Sequence, residues 1–282
     1  MDSDNEEKDT IEDITQKRTR SFTIKNLNST IVISLSILTA GLMIAGAIVF
    51  NGKLLTNIQS GSNSSSSGAS TTSSTVNLSQ FESNIVSLAG SLGMNESKFK
   101  TCYDKNTYNS EIQAEITAGN NLGVSGTPTV LIGMINSKNN TVTGRIVTGA
   151  VPLTVFTPLI DNYVKYGSTN GYSNQYVSTT DLTVTLPSRV TGNSNSKVAF
   201  VEYGDFECPY CEQLYQQVIP SIMDSYVNNG KIQFAFSDFP LTSIHPYALS
   251  AAIGGECAQE QGKFWEYYNN VYGSDYNKLF NS

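Results

Sequence analysis

The sequence is poor in positive charge and in histidine, and charge of either sign is scarce. Its 282 residues carry 17 Lys+Arg against 24 Asp+Glu, a net charge of −7, and only 15% of positions are charged. Residues 51–282 hold 12 Lys+Arg against 17 Asp+Glu. Phosphate binding needs a clustered basic footprint, so this shortage argues against nucleic acid as a partner. The chain has one histidine, His245, and four cysteines. Only Cys208 and Cys211 are close in sequence, and a zinc site would need two more ligands beside them. No metal and no cofactor is therefore expected.

Charge is absent altogether from residues 31–50, IVISLSILTAGLMIAGAIVF. At about 1.5 Å per residue, twenty such positions cross a hydrocarbon core of roughly 30 Å. The segment is apolar all round rather than striped, which separates it from a buried core helix. Lys17, Arg18, Arg20 and Lys25 precede it and only Lys53 closely follows. The positive-inside bias then predicts a single-pass membrane protein with a cytoplasmic N-terminus and residues 51–282 extracytoplasmic. The competing reading is a cleaved signal peptide, for which Ala45-Gly46-Ala47 resembles a cleavage site; the thirty-residue acidic lead argues against it. Asn-x-Ser/Thr triplets at Asn63, Asn77, Asn95 and Asn139 agree with an external location, although several are expected by chance in a chain this rich in Asn, Ser and Thr.

Composition divides the chain further. Residues 1–30 read as a disordered cytoplasmic tail, 31–50 as the membrane helix, and 51–76 as a Ser/Thr/Gly-rich tether. Residues 77–165 have the texture of a folded segment. Asn77 is placed to cap a helix with Phe81, Ile85, Leu88 and Leu92 on one face. Helices are predicted at 95–104 and 108–122, strands at 128–135 and 143–148, and a helix to about Val164. Residues 166–181 are turn-rich and polar, a second linker. Residues 182–282 read as an edge strand at 182–186, a hydrophobic strand at 198–203, a Cys-bearing helix, a strand at 232–236, and helices near 245–259 and 262–272.

The most informative stretch is 201–215, VEYGDFECPYCEQLY: an apolar strand, a short turn, then Cys208-Pro209-Tyr210-Cys211 opening an amphipathic helix. Disulfide exchange needs a thiolate nucleophile and a second thiol able to close the ring. At a helix N-terminus, unpaired N–H groups and the macrodipole favour an anion, which assigns Cys208 as the attacking sulfur. Cys211, one turn on, is the resolving sulfur. Pro209 fits the first turn, where its missing N–H costs no bond. His245, beside Pro246 at a helix start, either caps and packs or tunes a thiolate. Phe264, Trp265, Tyr267 and Tyr268 read as core and rim of one helix, with an aromatic substrate groove as the alternative.

These segments resemble the DsbA-like branch of the thioredoxin-fold oxidoreductases. VAFVEYGDFECPYC, FSDFPL and ECAQEQGKFWEYY match the family's first half, and SLGMNESKFKTC, GVSGTPTVLIG and GAVPLTVFTPLID match its second half. The order of the halves is exchanged. The resemblance implies an α/β thioredoxin-like fold with a helical insertion, circularly permuted, following one transmembrane helix. The strand at 198–203 should then lie beside that at 128–135, since neither half alone satisfies its central strand edges. Reciprocal swapping between two chains and a truncated tandem duplication are the alternatives to closure within one chain.

The family match also implies roles. Pro128 should be cis, with Thr127 presenting its backbone to an extended substrate. Glu202 matches a buried acid that relays a proton to or from Cys211; a carboxylate solvated at a strand end is the alternative. Cys102 and Cys257 match a structural disulfide, with two separate buried thiols as the alternative. The implied activity is a dithiol oxidase acting on secreted or surface protein thiols and reoxidised by a membrane redox partner. Its rivals are a reductase or isomerase using the same site, and a non-enzymatic thioredoxin-like binding module.

Overall fold

A computed structural model describes residues 77–280. The tail, membrane helix and tether expected over 1–76 lie outside the described residues. Among the described residues no helix is long and apolar enough to cross a membrane.

Three helices open the described chain: α1 (Leu78–Ser91), α2 (Glu96–Asp104) and α3 (Asn109–Asn121). The Asn77 and Asn95 side chains each accept the N–H three residues on, at 3.0 and 2.9 Å, so both helices begin where an orphan donor finds an oxygen. Then come β1 (Thr129–Asn136), β2 (Thr141–Thr148) and α4 (Leu153–Tyr166), which stops at Gly167 with φ 69°. Beyond a segment without helix or extended strand lie β3 (Leu182–Thr185), β4 (Arg189–Gly192) and β5 (Val198–Gly204). The cysteine-bearing helix α5 (Pro209–Gln217) leads into a short α6 (Ile219–Ile222) and a π-helical turn, Met223–Val227. The chain continues with β6 (Gln233–Asp238), α7 (Ala248–Glu260), α8 (Phe264–Tyr272) and α9 (Tyr276–Phe280).

One six-stranded sheet has the order β3-β2-β1-β5-β6-β4. Its centre joins the two halves: β1 runs antiparallel to β5 in the register Thr129↔Tyr203 through Met134↔Val198. On the other side β5 runs parallel to β6, pairing Ala199 with Gln233 and Gly204 with Asp238. Every residue of β5 is buried, as a strand covered on both faces requires. Its alternation sends Val198, Phe200 and Glu202 to one face and Ala199, Val201 and Tyr203 to the other. The first face carries the larger core, packed with Phe156, Leu159 and Ile160 of α4, Leu214 of α5, and Tyr268 and Tyr272 of α8. The second is a smaller cluster with Leu131, Ile146, Ala235 and Phe239, against which Ile116 of α3 packs.

Three features depart from the sequence expectations. β4 and α9 were not expected, and neither was the break after α5. Pro220 supplies no N–H to the turn before it, so the helix restarts as α6. The 166–181 segment is no free linker: Val177 bridges Val147, and the Tyr176 and Ile146 carbonyls accept the N–H groups of Thr148 and Ser178 at 3.1 and 2.8 Å.

Candidate active site

The turn between β5 and α5 delivers the cysteines. Cys208 occupies the N-cap of α5 with extended backbone, φ −74° and ψ 121°, and Pro209 fills the first helical position. The Cys208 carbonyl accepts the N–H groups of Cys211 and Glu212 at 3.0 and 3.1 Å, while its own N–H donates to the Asp205 carbonyl at 3.0 Å. Both cysteines are free thiols and both are buried. Tyr210 between them is 62% exposed, so the dipeptide marks the outer edge of the site.

The sheet brings the Gly126-Thr127-Pro128 turn to the same place. The Thr127–Pro128 peptide bond is cis. The Cys208 thiol donates to the Thr127 carbonyl oxygen at 3.4 Å across 81 positions of sequence. β1 leaves this loop directly and pairs with β5, so the same ladder that joins the two halves also sets the cysteine turn against residue 127.

The two thiols differ sharply in acidity. Hydrogen bonding from Cys211 is the largest influence on Cys208 and lowers its pKa from 9.0 to about 6 against the cost of burial; the N–H groups of Cys211 and Tyr210 add to it. Cys211 moves the other way. Complete burial raises its pKa well above 9.0, and the neighbouring Cys208 and Glu202 reinforce the rise. One sulfur is thus poised as a thiolate and its partner is held as a thiol.

Glu202 lies on the face of β5 that looks toward these sulfurs and is fully buried. The Tyr268 hydroxyl donates to its Oε2 at 2.8 Å, and no described group bonds Oε1. Burial raises its pKa to about 8, with a smaller rise from the field of Cys208 and an opposing effect from the Tyr268 bond. A carboxylate solvated at a strand end is not what the fold contains. Tyr268 was expected as core or rim, or as part of an aromatic substrate groove; its hydroxyl contact with an acid 66 positions away leaves no local signal in the sequence. Gly204, two positions on from Glu202, leaves room for this packing, since a Cβ there would stand 2.4 Å from the Phe236 ring and 3.2 Å from the Tyr272 hydroxyl oxygen.

Cys102 of α2 and Cys257 of α7 are joined by a disulfide spanning 155 positions, remote in role from the free pair. His245 was expected either to cap and pack or to tune a thiolate. It lies three residues ahead of α7, and its Nδ1 sits 2.7 Å from Asp205 Oδ2. Among the described residues no cluster of three or more His, Cys, Asp or Glu is arranged to hold a metal.

Two family models match the chain. Residues 74–160 match a DSBA-like thioredoxin domain, and residues 185–282 match a thioredoxin model. Each match covers less than half of the chain. Among curated relatives, "Na(+)/H(+) antiporter NhaA 3" of Salinispora tropica is 41% identical over 28% of this chain and 12% of that protein. "Probable disulfide bond formation protein D" of Bacillus anthracis is 34% identical over 29% of this chain and 38% of that protein. The chain therefore spans well under half the length of either, and most of the antiporter has no counterpart here. A solved structure, Wolbachia pipientis alpha-DsbA1, is 26% identical over 32% of this chain and 45% of that chain with a TM-score of 0.29, too partial a superposition to bear on the architecture. The two matches lie on either side of the 161–184 stretch.

Proposed function

We propose that the protein is a thiol–disulfide oxidoreductase that introduces disulfides into secreted or surface proteins. The observation that carries this reading is the unequal pair, with Cys208 brought to a pKa of about 6 at the cap of α5 while Cys211 is buried as a thiol. A sulfur that is stable as a thiolate is a good leaving group, and its stability favours the reduced site over the disulfide. That bias drives electrons from substrate to protein, which supports oxidase over reductase or isomerase.

In the oxidised protein, a substrate thiolate attacks Cys208 of the Cys208–Cys211 disulfide and displaces Cys211, which takes up a proton. A second substrate thiolate then attacks the substrate sulfur of the mixed disulfide and releases Cys208 as a thiolate. The substrate loses two electrons and two protons; the electrons reside on the cysteine pair, one proton rests on Cys211, and the other goes to solvent. Glu202, fully buried beside this pair, is the group placed to pass the proton to or from Cys211. Thr127 offers backbone groups to an extended substrate next to the reacting sulfur.

The proposal extends to the rest of the chain. Residues 31–50 anchor it as a single-pass membrane protein with the N-terminus cytoplasmic, and a membrane redox partner reoxidises the cysteines. The fold is a circular permutation, with the family's second half at 77–165 preceding its first half at 182–282. The antiparallel pairing of β1 with β5 supports this arrangement, because the two halves meet at the sheet centre within one chain.

Cys208→Ser should abolish turnover in a dithiol oxidation assay, and Cys211→Ser should accumulate a mixed disulfide with substrate that reductant releases. Undiminished turnover by Cys208→Ser would overturn the mechanism.

A further inference from the structure

The mechanism uses neither Asp205 nor His245, yet the two tie the cysteine turn to the loop opposite it. Asp205 touches both sides. Its backbone carbonyl accepts the Cys208 N–H at 3.0 Å, and its carboxylate Oδ1 accepts the Glu207 N–H at 2.9 Å. Oδ2 accepts the Leu241 N–H at 2.9 Å and lies 2.7 Å from His245 Nδ1. The Glu207 carboxylate adds a second tie by accepting the Tyr247 N–H at 2.6 Å. The imidazole is therefore held by a carboxylate that is fully buried in the cysteine turn and that also bonds the imidazole's own loop at Leu241.

The charged groups facing His245 are all acidic. Asp205, Cys208 and Glu207 each favour the protonated ring, the Asp205 hydrogen bond most of all, and partial burial opposes them. A carboxylate on Nδ1 fixes the tautomer and leaves Nε2 as the free edge. The dipeptide between the cysteines, Pro209-Tyr210, has no ionisable cation, and this is the chain's one histidine.

We infer that His245, bound by Asp205 to the turn that carries Cys208, is a positioning residue for the redox site: its imidazolium stabilises the Cys208 thiolate and so favours the reduced cysteine pair. The inference rests on the oxidoreductase reading for its meaning, but its physical content is a coupling between two ionisations. Coupling is reciprocal: the factor by which the imidazolium acidifies the thiol equals the factor by which the thiolate makes the imidazole more basic. The thiolate exists only in the reduced protein, because the disulfide carries no charge. His245 should then be the stronger base in the reduced state.

The single histidine makes the test direct. In the wild-type protein, the imidazole resonances are titrated by NMR with the Cys208–Cys211 pair reduced and then oxidised. The His245 ionisation constant should differ between the two states by roughly threefold to tenfold, the size expected of a charge pair near a protein surface. In His245→Gln, the thiolate absorbance of Cys208 should titrate at higher pH by the same factor. A residue that only tied the loop would alter thermal stability and move neither titration.

Identical His245 titrations in the two redox states, or thiolate curves that superimpose in wild type and His245→Gln, would overturn the inference. The wild-type measurement stands even where the variant folds poorly. The two readings also fail separately. Loss of turnover in Cys208→Ser without coupling removes only the role of His245, and coupling in a protein that oxidises no dithiol removes only the proposed activity.

Discussion

Glu202 is an acid whose ionisation the fold resists. Its folded pKa of about 8 lies above the ordinary value of 4.5 because burial penalises the charge. The folded protein thus retains a proton that the unfolded chain releases. The stability this proton contributes is fully present below about pH 4.5 and is lost as pH rises toward 8. Glu202→Gln keeps an acceptor for the Tyr268 hydroxyl and removes the charge. Its Tm should exceed that of the wild type at pH 8 by several degrees, given about 2–4 °C per kcal/mol for a domain of this size, and should converge with it near pH 4. Equal Tm values at pH 8 would contradict a buried carboxyl held against ionisation. At this scale the sequence was legible where chemistry is local. Cys208 and Cys211 announce themselves by spacing and by the helix they open. The Tyr268–Glu202 and Asp205–His245 contacts do not, because each pairs residues 40 or more positions apart with no periodic signature.

Among the elements, the long periodic ones were readable, and of the four- and five-residue ones only the edge strand β3 was. α1 has its cap and apolar stripe in sequence, and β5 is a run of apolar residues bounded by turns. β4 is four residues, RVTG, at the sheet edge, and its anchor is a buried cation. Arg189 has no side-chain exposure and is bonded to Glu115 of α3 and Glu256 of α7, with Asp238 of β6 at 3.1 Å. Its guanidinium also stands over the rings of Phe236 and Phe264, at 5.9 and 5.3 Å. An arginine in a strand-like tetrapeptide reads as surface, and the three acids that bury it are scattered along the chain. Arg189→Met would leave that acidic cluster without its cation. It should cost about 3–5 kcal/mol of unfolding free energy, readable as a fall in the urea midpoint. A midpoint unchanged by the substitution would mean that the cluster neutralises itself without the arginine.

The molecule as a whole depends on ties between residues 77–165 and 182–282. One is covalent, Cys102–Cys257. Another is the β1–β5 ladder, and a third runs from Glu115 to Arg189. Removing the covalent tie by Cys102→Ala with Cys257→Ala should lower stability by about 2–4 kcal/mol through the freed unfolded chain. The acidity of Cys208 should stay near its wild-type value, because the disulfide carries no charge and the hydrogen bonds from Cys211 and Tyr210 that lower it lie in the cysteine turn itself. A double variant as stable as the wild type would show that the ladder and the buried charges hold the two segments unaided.

The placement of β1 between β2 and β5 also imposes an order on biosynthesis. The hairpin partner β2 follows β1 at once, but β5 begins at Val198, about sixty residues after β1 ends at Asn136. At about 5–20 residues per second, ribosomes leave one flank of β1 uncovered for roughly three to twelve seconds. For that interval the nascent chain shows a bare row of donors and acceptors to every other polypeptide nearby, and a chaperone that shields extended segments would be the natural companion of its emergence.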